Sequence, residues 1–315
     1  MREYAIITEK LRGVVMKKIF CLVFALLLVF SFSACKGKDE GNSEDTQPAT
    51  QAPTMPSHQE LLDDEIDVND EAPLRMSLKE AGLEDVLIRG ITDEKVVSDG
   101  VVGRAYLLAD DSYDSVSRAN HYLALYTEEK VYIKELGKGC PKGSIFLYDT
   151  DGDNDCEIIS VEDAGGNGGA GSFLCSVFDF RDGDIFEMFA ANPIKEFDTG
   201  FSCQVQEGNS IEIINSNTDY SQVVYPDRNE EYFDSFYDEN GELKETKLYV
   251  DSFYEFIPED VDSDGVYEIV GKQYTWIQFH ADYIGSAVTV LKYNNEAETF
   301  EVVDAWFETP DEKTE

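Results

Sequence analysis

The sequence predicts a mainly β fold of antiparallel meanders, and three observations predict it. Short apolar runs rich in Val, Ile, Tyr and Phe recur between Gly, Asn and Asp from about residue 100 onward, the pattern of half-buried strands. The helical pattern fades after about residue 82, and one strand–loop–strand unit occurs twice, 111 residues apart. With 42% hydrophobic residues, 19 Phe and 17 Tyr, the chain can fill a core. Once the amino-terminal region is set aside, roughly 250 residues remain, a length that one large β domain can occupy.

Taken in order, residues 1–34 read as an export signal. Met16-Lys17-Lys18 is basic, residues 19–32 form a 14-residue apolar run, and Ser33-Ala34-Cys35 follows. A spanning helix needs about 20 apolar residues, so a signal fits better than a permanent membrane anchor. Nothing in residues 1–15 belongs to such a signal, which makes Met16 the expected start. Phe32-Ser33-Ala34-Cys35 resembles the bacterial lipobox, with Phe32 where Leu is usual. The resemblance implies that Cys35 is lipidated and holds the mature chain on the extracytoplasmic face of the cell membrane. Residues 35–70 are rich in Gly, Ser, Thr, Pro and Gln without apolar periodicity, the composition of a spacer.

The folded domain is expected over residues 71–310, with 311–315 as a tail. A short helix is predicted around Ser77 as N-cap, with Glu80 three residues on and Gly82 near its end. Strands follow at VVGRAYLL, HYLALY, KVYIKEL, GSIFLY, EIISV, SFLCSVFDF, IEIIN, KLYVDSFYEF, YEIVG, SAVTVLKY and FEVVDAWF. Glu128-Glu129, Asp182-Gly183 and Asn294-Asn295 read as hairpin turns. In the repeat, FLYDTDGDNDCEIIS from Phe146 matches IPEDVDSDGVYEIVG from Ile257. Each copy continues into a long loop and a hairpin, a unit that resembles one propeller blade. The spacing leaves room for roughly one degenerate blade between them.

Asp149, Asp151, Asp153 and Glu157 stand at positions 1, 3, 5 and 9 of the first loop, and Asp260, Asp262, Asp264 and Glu268 at those of the second. Calcium takes six to eight oxygens, and alternate acids in a tight turn point inward. Carboxylates so close repel one another unless a cation joins them. Backbone carbonyls of Asp155 and Val266 would complete the two shells, giving two calcium ions. Position 12 is Ser160 or Gly271 rather than Glu, so neither loop is an EF-hand. The DxDxDGxxE form of the second loop resembles the calcium loops of FG-GAP and VCBS-type repeats in integrin-like propellers, where these acids bind calcium between two blade strands. The first loop has Asn154 in place of Gly, a residue that also enters left-handed backbone.

The formal charge is −40, and residues 1–34 hold five basic against two acidic residues, which leaves the rest near −43. Such a field repels phosphate backbones, excluding nucleic acid as a natural partner and favouring cations. Residues 165–172 are Gly-rich without the Gly-Lys-Ser/Thr of a phosphate loop. The equivalent stretch of the second copy carries Tyr274, Trp276, Phe279, His280 and Tyr283, which pack in a core or stack on sugar rings or a protein partner. Cys140, Cys156, Cys175 and Cys203 allow three disulfide pairings or remain thiols. His58, His121 and His280 show no zinc-protease spacing, and no GxSxG occurs, so no catalytic residue is assigned. The sequence therefore points to a surface lipoprotein whose calcium-stabilised domain binds a cell-wall polysaccharide or an envelope protein. The alternative is a secreted hydrolase braced by structural calcium.

Overall fold

Leu74 and Leu78, four residues apart and both buried, set the position of the first helix, α1 (Ala72–Glu80). Pro73 lies in its first turn, where a missing N–H costs nothing. Ser77 is therefore inside the helix and does not cap it, which corrects the expected start. Gly82 does mark the end: its N–H donates to the Lys79 carbonyl, and that of Leu83 to Leu78. The computed structural model describes residues 72–83, 85–110, 119–128, 130–140, 142–164, 172–192, 197–244 and 246–310. The export signal, Met16, Cys35, the spacer with His58, residues 165–171 and the tail lie outside the described residues.

The described chain is mainly β, in four antiparallel sheets. The first contains β1 (Val86–Ile91), β2 (Lys95–Ser98), β3 (Val101–Asp110), β4 (Ala119–Thr127) and β5 (Val131–Gly139), in the order β1-β3-β4-β5 with β2 also on β3. The second is the meander β6 (Gly143–Tyr148), β7 (Glu157–Asp163), β8 (Phe173–Arg181) and β9 (Asp184–Ala191). The third holds β10 (Phe201–Gln206), β11 (Ser210–Asn215) and β12 (Tyr220–Val224). A short helix, α2 (Glu230–Asp234), comes next, capped by the Asn229 side chain accepting from the Tyr232 N–H. The fourth sheet is the meander β13 (Tyr249–Glu259), β14 (Glu268–Trp276), β15 (Tyr283–Asn294) and β16 (Thr299–Glu308). Helix α2 was not expected, because five residues are too few to show a helical period.

Alternation along the strands decides which layers meet. On β3, Ala105 and Leu107 face the second sheet, whereas Tyr106 and Leu108 pack with Leu74 and Leu78 of α1. On the second sheet, Ile158, Phe178, Phe180 and Ile185 meet the first sheet. Its other face, with Ile159, Val161, Val177 and Phe189, meets Phe253, Phe256, Ile269, Leu291 and Phe300 of the fourth. The third sheet lies between the two repeat copies in sequence but packs with α2 against Ile277, Ile284 and Phe307, at the far end of the fourth sheet. Among the described residues, the hydrophobic clusters join first to second, second to fourth and fourth to third, and none joins third to first.

The turns follow local chemistry. Asp182 and Gly183 both have positive φ, 55° and 75°, the left-handed pair that a two-residue hairpin requires. The turn after β15 is longer than expected. There the Asn294 side chain accepts from the N–H groups of Glu296 and Ala297, and Glu298 is left-handed. Among the described residues no disulfide joins Cys140, Cys156, Cys175 and Cys203, and burial pushes Cys203 up to about 12 and Cys175 well above the ordinary range.

Candidate metal centre

The two acidic loops occupy the same place in their sheets, each joining the first strand of a meander to the second. In the first, Gly152 and Asn154 are left-handed; in the second, Ser263 and Gly265 are, at the same two positions. Asn154 thus takes the conformation expected of it. These reversals turn the backbone N–H groups toward the carboxylate at position 1. Asp149 accepts from Gly152 N at 2.7 Å and Asn154 N at 3.0 Å, and Asp260 accepts from Asp264 N at 3.0 Å and Gly265 N at 3.2 Å.

Position 9 is the buried end of each site. Glu157 and Glu268 are each 2% exposed. One oxygen of Glu157 accepts from the Thr150 N–H (2.6 Å) and hydroxyl (2.8 Å), and one of Glu268 from the Val261 N–H (3.1 Å). Asp149, Asp151 and Glu157 bring carboxylate oxygens within 4.8 Å of one another, and so do Asp260, Asp262 and Glu268. Asp153 and Asp264 stand outside these triplets. Each accepts the N–H two residues on, at Asp155 and Val266 respectively, both at 2.8 Å. Asp155 turns its own carboxylate to the Asp99 N–H of the first sheet, at 2.7 Å.

Electrostatics separate the two loops. Burial, offset in part by the Thr150 N–H, pushes Glu157 up to about 8, and neighbouring Asp151 adds to the rise. Asp151 is pushed up to about 6 by burial and then by the charge of Asp153. The first loop is thus short of positive charge. In the second loop the Lys292 ammonium lies 2.5 Å from Glu268 and 3.2 Å from Asp262. The hydrogen bond to Glu268 holds that ammonium well above the ordinary lysine value. The donor set of the first loop, all carboxylate oxygens with a buried acid at its base, fits a hard cation such as calcium.

The loops also touch. Tyr267 N–H donates to the Asp149 carbonyl at 2.7 Å, the Asn295 amide to the Asp151 carbonyl at 2.7 Å, and the rings of Tyr148 and Tyr267 lie 4.1 Å apart. Packing of the second sheet against the fourth brings the loops together.

Away from the loops, a cleft of about 580 Å³ opens where the second, third and fourth sheets meet, lined by Phe197, Phe201, Tyr249, Asp251, Gln273 and Trp276. Tyr249 stacks on Trp276 with centroids 4.0 Å apart. Asp251 accepts from Trp276 Nε1 at 3.1 Å and contacts His280 Nε2 at 2.6 Å. Tyr274 lies between His280 and Tyr283, at 5.2 and 4.5 Å. These aromatics form a stacked, partly exposed ladder, and Phe279, next to His280 in sequence, is 56% exposed. His121 is buried against Glu162, Nδ1 to Oε2 at 3.3 Å, and Ser160 donates to the same carboxylate.

Residues 199–308 match the family described as the YybI C-terminal domain. The matched stretch takes in the third and fourth sheets with the second acidic loop, while the first loop lies outside it. A relative, the uncharacterized protein YybI of Bacillus subtilis (strain 168), is 26% identical over 210 residues, which span 64% of this chain and 78% of the relative.

Proposed function

We propose that this is an extracytoplasmic lipoprotein, anchored through Cys35, whose β domain is braced by calcium at its acidic loops and binds an envelope or cell-wall ligand. The observation that carries the calcium reading is the three-carboxylate cluster of Asp149, Asp151 and Glu157, with its buried acid. In this reading the second and fourth sheets are blade-like units of a propeller-like domain, and bound calcium stiffens a blade corner. The cleft beside Tyr249 and Trp276 is the candidate seat for a sugar polymer, since aromatic faces and amide and carboxylate groups together suit a polyhydroxylated ring.

A hydrolase is the weaker reading. His280 has its acidic partner Asp251, but among the described residues the nearby Ser286 hydroxyl is bonded to Tyr254 and Tyr283, at 2.6 and 2.7 Å, and not to His280. A binding role needs only the surface.

If the first loop binds with a dissociation constant near 10 µM, 1 mM calcium stabilises the domain by about 2.7 kcal/mol. At roughly 2–4 °C per kcal/mol, the melting temperature should rise by about 5–10 °C over protein in chelator. Asp151→Ala should abolish that rise, and magnesium should reproduce little of it, because it demands octahedral geometry and keeps its waters. An unchanged melting curve on adding calcium would remove the metal from this reading. Anchoring is tested separately: Cys35→Ser should leave a precursor that takes up no labelled palmitate, and equal labelling of both proteins would refute the tether.

A further inference from the structure

The strand registers align the two repeat copies residue by residue beyond their loops. Ile158 pairs with Phe178 and Ile269 with Leu291, and Ile158 and Ile269 are equivalent in the repeat. The next residue of the third strand is therefore Asp179 in one copy and Lys292 in the other. Both adjoin the acidic loop of their own sheet, and their charges are opposite.

Lys292 reaches its loop from outside it. Its ammonium lies 2.5 Å from Glu268 Oε1, 3.2 Å from Asp262 Oδ2 and 3.5 Å from Asp264 Oδ2. Two of these acids, Glu268 and Asp262, belong to the triplet a metal would use, so the second loop already holds a cation at its centre. In the first copy the same position carries a carboxylate. Asp179, 20% exposed, is close enough to Asp151, Asp153 and Asp155 for their charges to act on one another. Arg181 Nε meets Asp179 at 2.9 Å, but that side chain is 58% exposed and also covers the Phe186 ring.

We propose that Lys292 is a tethered competitor for calcium at the second loop, so that the wild-type protein holds calcium at the first loop alone, with Asp179 contributing to that site. The proposal rests on the calcium reading of the loops. For calcium to enter the second loop, the ammonium must leave three carboxylates at once, and being attached to β15 it remains beside them at high effective concentration. Among the described residues no ammonium is ion-paired to the acids of the first loop, which gains a negative group, and calcium affinity rises with the number of charged ligands. The second loop is then a metal site whose ion has been replaced by a side chain.

Calcium stoichiometry measured by equilibrium dialysis on the purified protein tests this directly. Wild type should bind one ion, Lys292→Met two, and Asp179→Lys none, since the last places an ammonium where Lys292 stands in the other copy. Circular dichroism of each variant establishes that it is folded. Two ions of similar affinity in the wild type, or one ion in both variants, would overturn the proposal while leaving the calcium reading intact. No binding by wild type or by Lys292→Met would overturn the calcium reading, and this proposal with it.

Discussion

Raising the pH of the calcium-free protein from 5 to 8 is expected to destabilise it by roughly 4 kcal/mol, mostly through one side chain. Glu157 titrates near 4.5 when unperturbed and at about 8 in the fold. Its folded form holds the proton more tightly than the unfolded chain does. The associated stability is complete below pH 4.5 and is lost as the pH rises through 8, at about 1.36 kcal/mol per unit of separation. Asp151, pushed up to about 6, acts with the same sign. Bound calcium requires both groups ionised, so it should flatten or reverse the decline. Thermal melts at pH 5, 6, 7 and 8, with chelator and with calcium, give the comparison. Glu157→Gln should lose most of the dependence in chelator, and a flat wild-type profile there would contradict the burial argument.

Phe189→Ala should cost about 3–5 kcal/mol, the range for removing a buried ring from a packed core. The ring lies between the second and fourth sheets, with the rings of Phe197, Phe256 and Phe300 at 5.2, 5.6 and 5.6 Å. Three aromatic contacts leave little room for the site to collapse around the cavity. Phe186 on the same strand is 39% exposed, and Phe186→Ala should shift stability by well under half as much. Urea denaturation of the two variants side by side tests the assignment of faces; equal losses would mean that β9 is turned the other way.

The strands that were legible in the sequence are those with strong apolar runs: every interior strand, and with them the edge strands β5, β6, β13 and β16. AYLLA of β3 is apolar throughout because α1 covers one face of the first sheet and the second sheet the other. β1, β2, β10 and β12 show no such run, and β9 is signalled only by the Asp182-Gly183 turn before it. β1 and β2 are interrupted by register shifts at Ile88/Gly90 and Val96/Ser98, and β12 is five residues with one buried. The acids at positions 1, 3 and 9 of each loop were legible because turn geometry depends on local spacing. Lys292 and Asp179 were not, since their link to the loops exists only through pairing between strands. The contact between the loops, and the third sheet's seat on the fourth, depend on distant packing that no local pattern encodes.

The packing of the second sheet's other face on the fourth, rather than on the third that follows it in sequence, has a consequence for the order of assembly. A chain emerging amino end first completes the first and second sheets while the fourth is still absent. Ile159, Val177 and Phe189 then face water until Phe253, Ile269, Leu291 and Phe300 arrive to cover them. Such an unpaired apolar face is where partly formed chains associate with one another. Assembly of this domain is therefore not stepwise along the chain: its central layer closes only when nearly the last strand has been delivered, and truncation anywhere before Thr299 leaves that layer open.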